Sequence, residues 1–490
     1  MVIILKNYSI WSEEIKNSYP KLEKDIEVDV LIVGGGITGI STAYHLKDGN
    51  LKVCLVEKNN IGSGVTSKTT GKLTYLQENI YSKLNRYHGY DKTKLYLESQ
   101  KYAINLVKDI IDKEHIECDL EKVKSYTFTN IESNKYSKEK DISKKLKIKY
   151  EETNTLPNKE KVYNSFYVYD TYVFHPIKYL NTLASICNKN NIDIYENTCI
   201  LSIVKEKNYY VCKTQNNIIK TKNVVFAIHY PYFLIPFETP LKTYIEKSYI
   251  EAFKGDKNYM YSAISISKPT ISTRFYSDKD KTYQIYLSNS HNTCIHDNDL
   301  KNFYKLIKQN NNKPEYLWSN KDIITNDRLP FIGSLKENDN SMLIGTGYNT
   351  WGMTNGSLAG KILSDIILNK KNEYKELFKP TRCINFGKAI NFPIILGSNI
   401  LSFSKSKIYK QKSWYSNNVK FEKRNGKNIA IYIDEKKREH IVYNLCPHLK
   451  CSLIFNEIER TWDCPCHGSR FDIDGNSIEG PSNYSIRYKE

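Results

Sequence analysis

Residues 28–57 read VDVLIVGGGITGISTAYHLKDGNLKVCLVE. The run VDVLIV is short, apolar and rich in β-branched residues, which is typical of a buried strand. GITGISTAYHL then predicts a helix that begins at a cluster of glycines, and LKVCLVE predicts a second strand. A strand, a helix and a strand in this order predict a β-α-β unit, so the chain opens with an α/β domain built on a parallel sheet.

The glycines of this unit form the pattern Gly34-x-Gly36-x-x-Gly39 between the strand and the helix. Glycine at these places permits a tight turn, lets the backbone approach a pyrophosphate, and allows the helix to pack closely on the strand. Glu57 ends the second strand, where a carboxylate accepts hydrogen bonds from the adenosine ribose hydroxyls. The unit therefore predicts a dinucleotide site, although the pattern alone does not distinguish FAD from NAD.

The rest of the glycine distribution limits the number of nucleotide sites. A second dinucleotide would need a second glycine-rich turn. Between Gly71 and Gly333 the sequence contains only Gly89 and Gly255. We therefore expect one bound dinucleotide.

Three separated patches carry a family resemblance: VDVLIVGGGITGISTAYHL, VEKNNIGSGVTSKTTGKLT, and DRLPFIG followed by GTGYNTWGMTNG. By these patches, residues 25–380 resemble the FAD-dependent oxidoreductases of the D-amino-acid oxidase, glycine oxidase and sarcosine oxidase superfamily. The resemblance implies FAD as the cofactor, with a helix N-terminus stabilising negative charge at the flavin pyrimidine edge. It implies that Gly34, Gly36, Ile37, Thr38 and Gly39 face the pyrophosphate, Glu57 and Lys58 the adenosine, Val204 the adenine, Thr66 to Gly71 the flavin, and Gly347, Gly352, Met353 and Thr354 the pyrimidine edge.

The C-terminal part contains Cys446-x-His448, fifteen further residues, and then Cys464-x-x-His467. In a Rieske 2Fe-2S centre two cysteines hold one iron and two histidines hold the other, because neutral imidazoles raise the potential of the cluster. The four residues fit those roles. Tetrahedral zinc with the same ligands is the alternative, but the spacing is not the usual one of a zinc finger.

The resemblance to Rieske domains extends from CPHLKC through CPCHGSRFD to the Gly480-Pro481 turn. It implies a disulfide between Cys451 and Cys466, with two free thiols as the alternative in a reducing compartment. It also implies that the Ser469 hydroxyl donates to a bridging sulfide. Phe471 stands where cytochrome bc-type members carry a tyrosine that bonds a cysteine sulfur, so we expect a lower potential than in those members.

Composition constrains the class of protein. A length of 490 residues predicts two or three domains. The sequence contains no run of eighteen apolar residues, so we expect no membrane-spanning helix. The formal charge of +18 comes from lysines spread along the chain, so we expect no nucleic-acid partner, although an acidic redox protein would be attracted. Isolated cysteines favour a cytoplasmic location; they are Cys54, Cys118, Cys187, Cys199, Cys212, Cys294 and Cys383.

We predict a Rossmann-like α/β FAD-binding domain of the glycine and D-amino-acid oxidase type, an α+β substrate domain, and a small all-β Rieske domain. A helix is predicted over 91–114, and the polar stretch 131–161 is predicted to be a surface elaboration. The predicted boundaries are an oxidoreductase over 25–380, with FAD-binding parts at about 25–90, 165–230 and 320–380 and substrate parts at about 91–164 and 231–319, then a connector over 381–412 and the Rieske domain over 413–490.

The combined resemblance implies a dehydrogenase of an amine or amino acid that passes electrons from flavin through the cluster to an external acceptor. The alternative is an electron-transfer or redox-sensing protein that oxidises no small substrate. Arg274 in ISTRFY is a candidate for binding a substrate carboxylate bidentately, with a surface cation as the alternative. His291 in the SNSHNT turn and His175 are weaker candidates, because a single histidine is more often structural. Trp351 is expected beside the flavin.

Overall fold

The computed structural model describes residues 6–16, 18–229, 242–268, 270–278, 281–292, 313–383, 418–448, 450–457, 459–466, 468–482 and 484–489. The chain divides into two compact units. The first unit comprises Met1–Thr243, Ser248–Ser290 and Asn312–Ala389, and the second comprises Tyr244–Lys247, His291–Asn311 and Ile390–Glu490. Most of the predicted connector over 381–412 lies outside the described residues.

The helices are α1 Ile37–Leu46, α2 Ile80–His88, α3 Tyr90–Glu114, α4 Asn134–Lys145, α5 Pro176–Lys189, α6 Gly352–Ile367 and α7 Lys375–Phe378. The strands are β1 Ile26–Val33, β2 Val53–Val56, β3 Lys72–Leu73, β4 Glu121–Thr129, β5 Glu151–Thr155, β6 Lys161–Val173, β7 Asp193–Tyr195, β8 Ser202–Glu206, β9 Tyr209–Lys213, β10 Ile218–Phe226, β11 Thr243–Lys254, β12 Tyr261–Ser265, β13 Ser272–Asp278, β14 Lys281–Asn292, β15 Tyr316–Thr325, β16 Phe331–Lys336, β17 Asp339–Thr346, β18 Val419–Arg424, β19 Lys427–Ile433, β20 Glu439–Tyr443, β21 Ile454–Asn456, β22 Thr461–Asp463, β23 Arg470–Phe471 and β24 Ser477–Glu479.

The predicted β-α-β unit is confirmed as β1, α1 and β2. Strands β1 and β2 pair in parallel, with Val30 opposite Val53, and β10 runs parallel to β1 on its other side. The sheet order is β16-β17-β10-β1-β2-β7, and the β8–β9 hairpin extends it from β10. The carboxyl ends of the parallel strands therefore converge on the glycine turn, where α/β sheets bind their ligands.

A second sheet in the first unit has the order β15-β11-β14-β13-β12-β4-β6-β3, with β5 paired to β6. Its strands run mostly antiparallel, as expected for an α+β domain. Strand β3 follows the loop that the resemblance assigns to the flavin and joins this second sheet through β6. The short strand thus ties the nucleotide-binding part of the unit to the second sheet.

The polar stretch over 131–161, predicted to be a surface elaboration, is folded into regular elements. It contains α4 and β5, and α4 buries Tyr136, Glu139 and Ile142 while its lysines face solvent. The oxygens of Glu139 accept hydrogen bonds from the backbone N–H groups of Tyr81 and Ser82 at the start of α2. The few apolar residues of α4 are spaced along one face, which is why a mostly polar segment still packs on the core.

The described C-terminal part of the second unit is built from antiparallel strands. One sheet has the order β18-β19-β20, and the other has the order β21-β22-β23-β24. Their shared core includes Val442, Leu453, Trp462 and Phe471. The all-β architecture expected for the Rieske domain is therefore confirmed.

No helix in the described ranges has both the length and the apolar composition needed to cross a lipid bilayer.

Candidate cofactor sites

The glycine turn after β1 is closed as tightly as the sequence pattern predicts. Gly34 has φ +115°, in the region that favours glycine. A Cβ atom on Gly39 would lie 1.9 Å from the carbonyl oxygen of Gly34. Helix α1 can therefore approach β1 only with glycine at position 39, and this close approach directs its first N–H groups at the space beyond the strand.

The loop from Thr66 to Gly71 is held against this turn. The hydroxyl of Thr66 accepts a hydrogen bond of 3.1 Å from the Ile37 amide at the start of α1. Two buried indoles fix the loop backbone: Trp11 Nε1 donates to the Thr69 carbonyl at 2.7 Å, and Trp318 Nε1 donates to the Lys68 carbonyl at 3.0 Å. The loop thus has a fixed backbone where the resemblance expects the flavin.

Glu57 lies at the end of β2, and its carboxylate is already hydrogen-bonded. One oxygen accepts from the Gly35 amide at 2.7 Å and the other from the Asn59 amide at 2.9 Å. Burial is the largest influence on this carboxyl and raises its pKa, against the effect of these two amide donors. The bonds hold the acid beside the glycine turn, and each oxygen retains a further lone pair for a ribose hydroxyl.

Val204 is not placed with this group. It lies on the β8–β9 hairpin with 50% of its surface exposed. The backbone that meets Glu57 comes earlier in the chain, where the Thr198 amide donates to the Glu57 carbonyl at 2.8 Å and the nearby Ile200 is buried. The adenine contact of Val204 therefore stays a prediction.

The returning loop before α6 meets the first glycine turn. Gly347 has φ +74°, α6 begins at Gly352, and Met353 and Thr354 are buried in its first turn. The hydroxyls of Tyr348 and Thr38 lie 2.7 Å apart, so a side chain of this loop contacts α1 directly. Sequence reasoning missed Tyr348, although it lies inside the quoted motif GTGYNTWGMTNG.

Arg274 is placed differently from the sequence expectation. It is only 1% exposed, so the surface alternative is wrong. Its Nη1 donates to the carbonyls of Thr70, Gly71 and Phe174 at 2.7 to 3.0 Å, and its Nε donates to the Phe275 carbonyl. Only Nη2 lacks a hydrogen bond to the described residues, so a bidentate carboxylate is excluded in this arrangement. Arg274 holds the end of the loop from Thr66 to Gly71, which the resemblance assigns to the flavin and which is called the flavin loop below.

Lys72 follows this loop, and sequence reasoning did not select it. Its ammonium donates to the Ala263 carbonyl at 3.0 Å and to the Ser272 hydroxyl at 2.6 Å. Burial, together with the nearby Arg274, lowers the pKa of Lys72 to about 7. In the described part of the chain, no carboxylate lies within 4.0 Å of either cation.

The two histidine candidates have different outcomes. His175 caps α5, where its Nδ1 accepts from the Lys178 amide, and burial lowers its pKa to about 4. It is therefore a structural residue. His291 lies in strand β14 and not in a turn, next to residues outside the described ranges, and its role stays a prediction. Trp351 caps α6, and its amide donates to the Tyr348 carbonyl.

In the second unit, two loops carry Cys446, His448 and Cys464. Cys446 and Cys464 are buried, and neither takes part in a disulfide with the described residues. The Cys446 amide donates to the Cys451 carbonyl at 2.8 Å, and the Cys464 amide donates to the Ser469 carbonyl at 2.7 Å, so both loops are closed by their own backbone. Burial lowers the pKa of His448, which favours the neutral imidazole that binds metals. His467 lies outside the described residues.

A disulfide joins the two loops. It links Cys451 to Cys466, with their Cα atoms 6.6 Å apart, so the alternative of two free thiols is wrong for this structure. The sulfur of Cys464 lies within 4.8 Å of both disulfide sulfurs. Because disulfide sulfurs are not thiolates, Cys451 and Cys466 are not thiolate ligands in this structure, and the ligand roles of Cys446 and Cys464 stay a prediction.

Arg470 connects the strands behind these loops. Its guanidinium pairs with Glu459 at 2.8 Å, with Asp463 at 3.3 Å and with Glu479 at 3.4 Å. Asp463 precedes Cys464, and Glu479 precedes the Gly480-Pro481 turn. The buried ion pairs therefore hold the second ligand loop and the proline turn to the same side chain.

Comparisons with known proteins match one family to the N-terminal part of the chain and another to the C-terminal part. The FAD dependent oxidoreductase family, DAO, matches residues 29–366, and the Rieske [2Fe-2S] domain matches residues 405–488. The chain belongs to the FAD dependent oxidoreductase family. It is 32% identical over 483 residues to YhfW of Bacillus subtilis (strain 168), which is named as a Rieske 2Fe-2S iron-sulfur protein, covering 95% of this chain and 94% of YhfW.

Solved structures agree on the fold of the DAO region. Glycine oxidase from Geobacillus kaustophilus superposes with a TM-score of 0.58 at 16% identity, covering 73% of this chain and 100% of that chain. L-proline dehydrogenase from P. horikoshii superposes with a TM-score of 0.59 at 16% identity, covering 73% of this chain and 98% of the dehydrogenase chain. This DAO family member therefore has the expected FAD-binding fold.

The residues present fit both cofactors of a DAO and Rieske chain. A glycine turn that a Cβ at Gly39 would fill, a helix start and an anchored acid suit the dinucleotide. Two buried thiols and an imidazole kept neutral by burial suit the iron-sulfur cluster. FAD and a 2Fe-2S cluster are the cofactors that the two matched families imply.

Phe471 is fully buried behind the cluster loops. We expect Phe471→Tyr to raise the cluster potential in a redox titration. A hydrogen bond worth about 1 kcal/mol to the reduced cluster corresponds to roughly 40 mV for a one-electron couple. Phe455→Tyr, in the same core, is the control and should leave the potential unchanged. An unchanged potential in Phe471→Tyr would remove this explanation for a low value.

Lys72 predicts a specific pH dependence of stability. Its pKa is about 7 in the fold against an ordinary 10.5, so between these values the unfolded chain binds a proton that the folded chain does not. The free energy of unfolding therefore rises with pH over this interval, by roughly 5 kcal/mol in total. Lys72→Met should lack this rise.

The measurement for Lys72 is the thermal midpoint of the variant minus that of the wild type, followed from pH 7 to pH 10. This difference should become more negative as the pH increases. Lys94→Met, at an exposed position on α3, serves as the control and should show no trend. A constant difference for Lys72→Met would show that the buried lysine keeps its ordinary pKa.

Proposed function

We propose that this chain is a dehydrogenase of an amine or amino acid whose electrons leave through the Rieske domain to an external acceptor. The observation that carries the proposal is the presence, in one chain, of one glycine-turn site for FAD and one pair of buried thiols in a Rieske fold. Bound FAD supplies a two-electron oxidation, and a 2Fe-2S cluster supplies transfer of single electrons.

The substrate class rests on the family. Glycine oxidase and L-proline dehydrogenase, which share the fold, are named for amino acids. In this family the protein mainly orients the substrate against the flavin. Here Trp11, Trp318 and Arg274 fix the flavin loop, so the substrate would meet a rigid surface on that side.

The electron route rests on the absence of a second nucleotide site in the sequence. Gly89 lies between α2 and α3 and Gly255 lies next to β11, so neither belongs to a turn of the β-α type. Reduced nicotinamide is therefore not the expected electron source, and we propose a small substrate in preference to a reduced partner protein. The excess of lysine and arginine, 72 against 54 acidic residues, would attract an acidic redox protein as the acceptor.

A cytoplasmic location is proposed together with this function. Cys54, Cys118, Cys187 and Cys212 are buried free thiols, as in proteins of reducing compartments. The Cys451–Cys466 pair is buried between two loops, where it is protected from cellular thiols.

The test is anaerobic addition of candidate amines and amino acids to the purified protein with both cofactors bound. We expect the flavin absorbance to bleach first and the EPR signal of the reduced cluster to follow. A Cys446→Ser variant is the control, in which the flavin should bleach without that signal. If reduced partner proteins fill the cluster and no amine or amino acid bleaches the flavin, the chain is an electron-transfer protein and the dehydrogenase proposal is wrong.

A further inference from the structure

The hydroxyl of Ser469 has a defined orientation. Ser469 is fully buried in the second ligand loop, and its Oγ accepts a hydrogen bond of 3.0 Å from the Ser482 amide. A hydroxyl has one hydrogen, and in the described ranges no acceptor takes the hydrogen of Ser469. The Ser482 amide therefore occupies one lone pair of Oγ and leaves the single hydrogen to be donated elsewhere.

Ser482 is itself held on both sides. It follows the Gly480-Pro481 turn and is fully buried. The Ser477 hydroxyl, in β24, donates to the Ser482 carbonyl at 2.6 Å. The Tyr484 amide donates to the Ser482 hydroxyl at 3.3 Å. The Ser477 hydroxyl thus contacts the same residue whose amide donates to Ser469.

We propose that Ser477 and Ser482 are positioning residues that orient the Ser469 hydroxyl towards the iron-sulfur cluster, so that the cluster potential depends on a chain of three serines. The proposal rests on the proposed function, in which the buried thiols of Cys446 and Cys464 belong to a Rieske cluster. A donated bond to a cluster sulfur stabilises the reduced state. Bonds in a buried chain polarise one another, so the Ser482 amide also strengthens the Ser469 hydroxyl as a donor.

The test uses the full-length protein with its cluster bound and an EPR-monitored redox titration at fixed pH and salt. Ser477→Ala removes one hydroxyl without changing charge. We expect it to lower the cluster potential, by less than Ser469→Ala does. In the Ser469→Ala background, Ser477→Ala should produce no further decrease, because the hydroxyl through which it acts is gone.

Two controls separate positioning from general damage. Ser485→Ala loses a similar bond, from Ser485 Oγ to the Gly475 carbonyl at 2.8 Å, and should keep the wild-type potential. Ser477→Thr retains a hydroxyl and should restore a potential above that of Ser477→Ala. Iron content measured on every variant shows that the titrated cluster is intact.

Three results overturn the proposal: an unchanged potential in Ser477→Ala, an equal decrease in both backgrounds, or no difference between Ser477→Thr and Ser477→Ala. None of these titrations uses a substrate. If the protein fails to oxidise amines, the results of these titrations still stand. If the wild-type protein shows no Rieske signal, the proposed cluster is refuted.

Discussion

Replacing Gly39 with alanine is expected to give protein without bound FAD. The added Cβ would lie 1.9 Å from the Gly34 carbonyl oxygen, which is far too close for two non-bonded atoms. Helix α1 would have to move away from β1, at a cost of about 3 kcal/mol or more. The movement would withdraw the helix N-terminus from the pyrophosphate, so both stability and binding should be lost.

The measurement for Gly39→Ala is the flavin absorbance per chain after purification, with a thermal midpoint on the same sample. Gly64→Ala is a control in the neighbouring loop, because a Cβ there would meet nothing within 4 Å and the φ of −80° lies outside the left-handed region. The control should bind FAD normally. A full complement of FAD in Gly39→Ala would contradict the glycine-turn assignment.

Replacing Cys446 with serine is expected to abolish the cluster while FAD remains bound. Cys446 is a fully buried thiol that opens the first ligand loop. Serine is a poor ligand for iron in such a cluster, where thiolates are the preferred donors. Because Cys446 belongs to the second compact unit and the glycine turn to the first, the flavin absorbance should be unaffected.

Iron content and the EPR signal after dithionite reduction measure the effect of Cys446→Ser. Cys383→Ser, which changes an exposed isolated thiol, is the control and should keep both the iron and the signal. A Cys446→Ser protein with an intact Rieske signal would exclude this residue as a ligand.

The elements that the sequence predicted well are those with a local physical cause. The β-α-β unit follows from an apolar run, a glycine turn and an acid, all within thirty residues of sequence. The Rieske loops follow from ligand spacing, which constrains geometry directly. Both depend on residues that are close together in the chain.

The residues that sequence analysis missed or misplaced depend on long-range packing. Nothing local shows that Arg274 reaches the carbonyls of residues 70 and 71, or that Lys72 is buried between β12 and β13. Val204 was assigned by the resemblance alone, whereas the backbone contact between Thr198 and Glu57 depends on how the chain folds back after β7. Side chains that act across sheets therefore required the structure.

The bracing of the flavin loop has a consequence for biosynthesis. The loop over residues 66–71 is fixed by Trp11, Arg274 and Trp318, which are far apart in the chain. When only the first two hundred residues have left the ribosome, the complete glycine turn has been made, but Arg274 and Trp318 have not. Because domains fold as their chain emerges, cofactor capture by this protein should be a late event in translation.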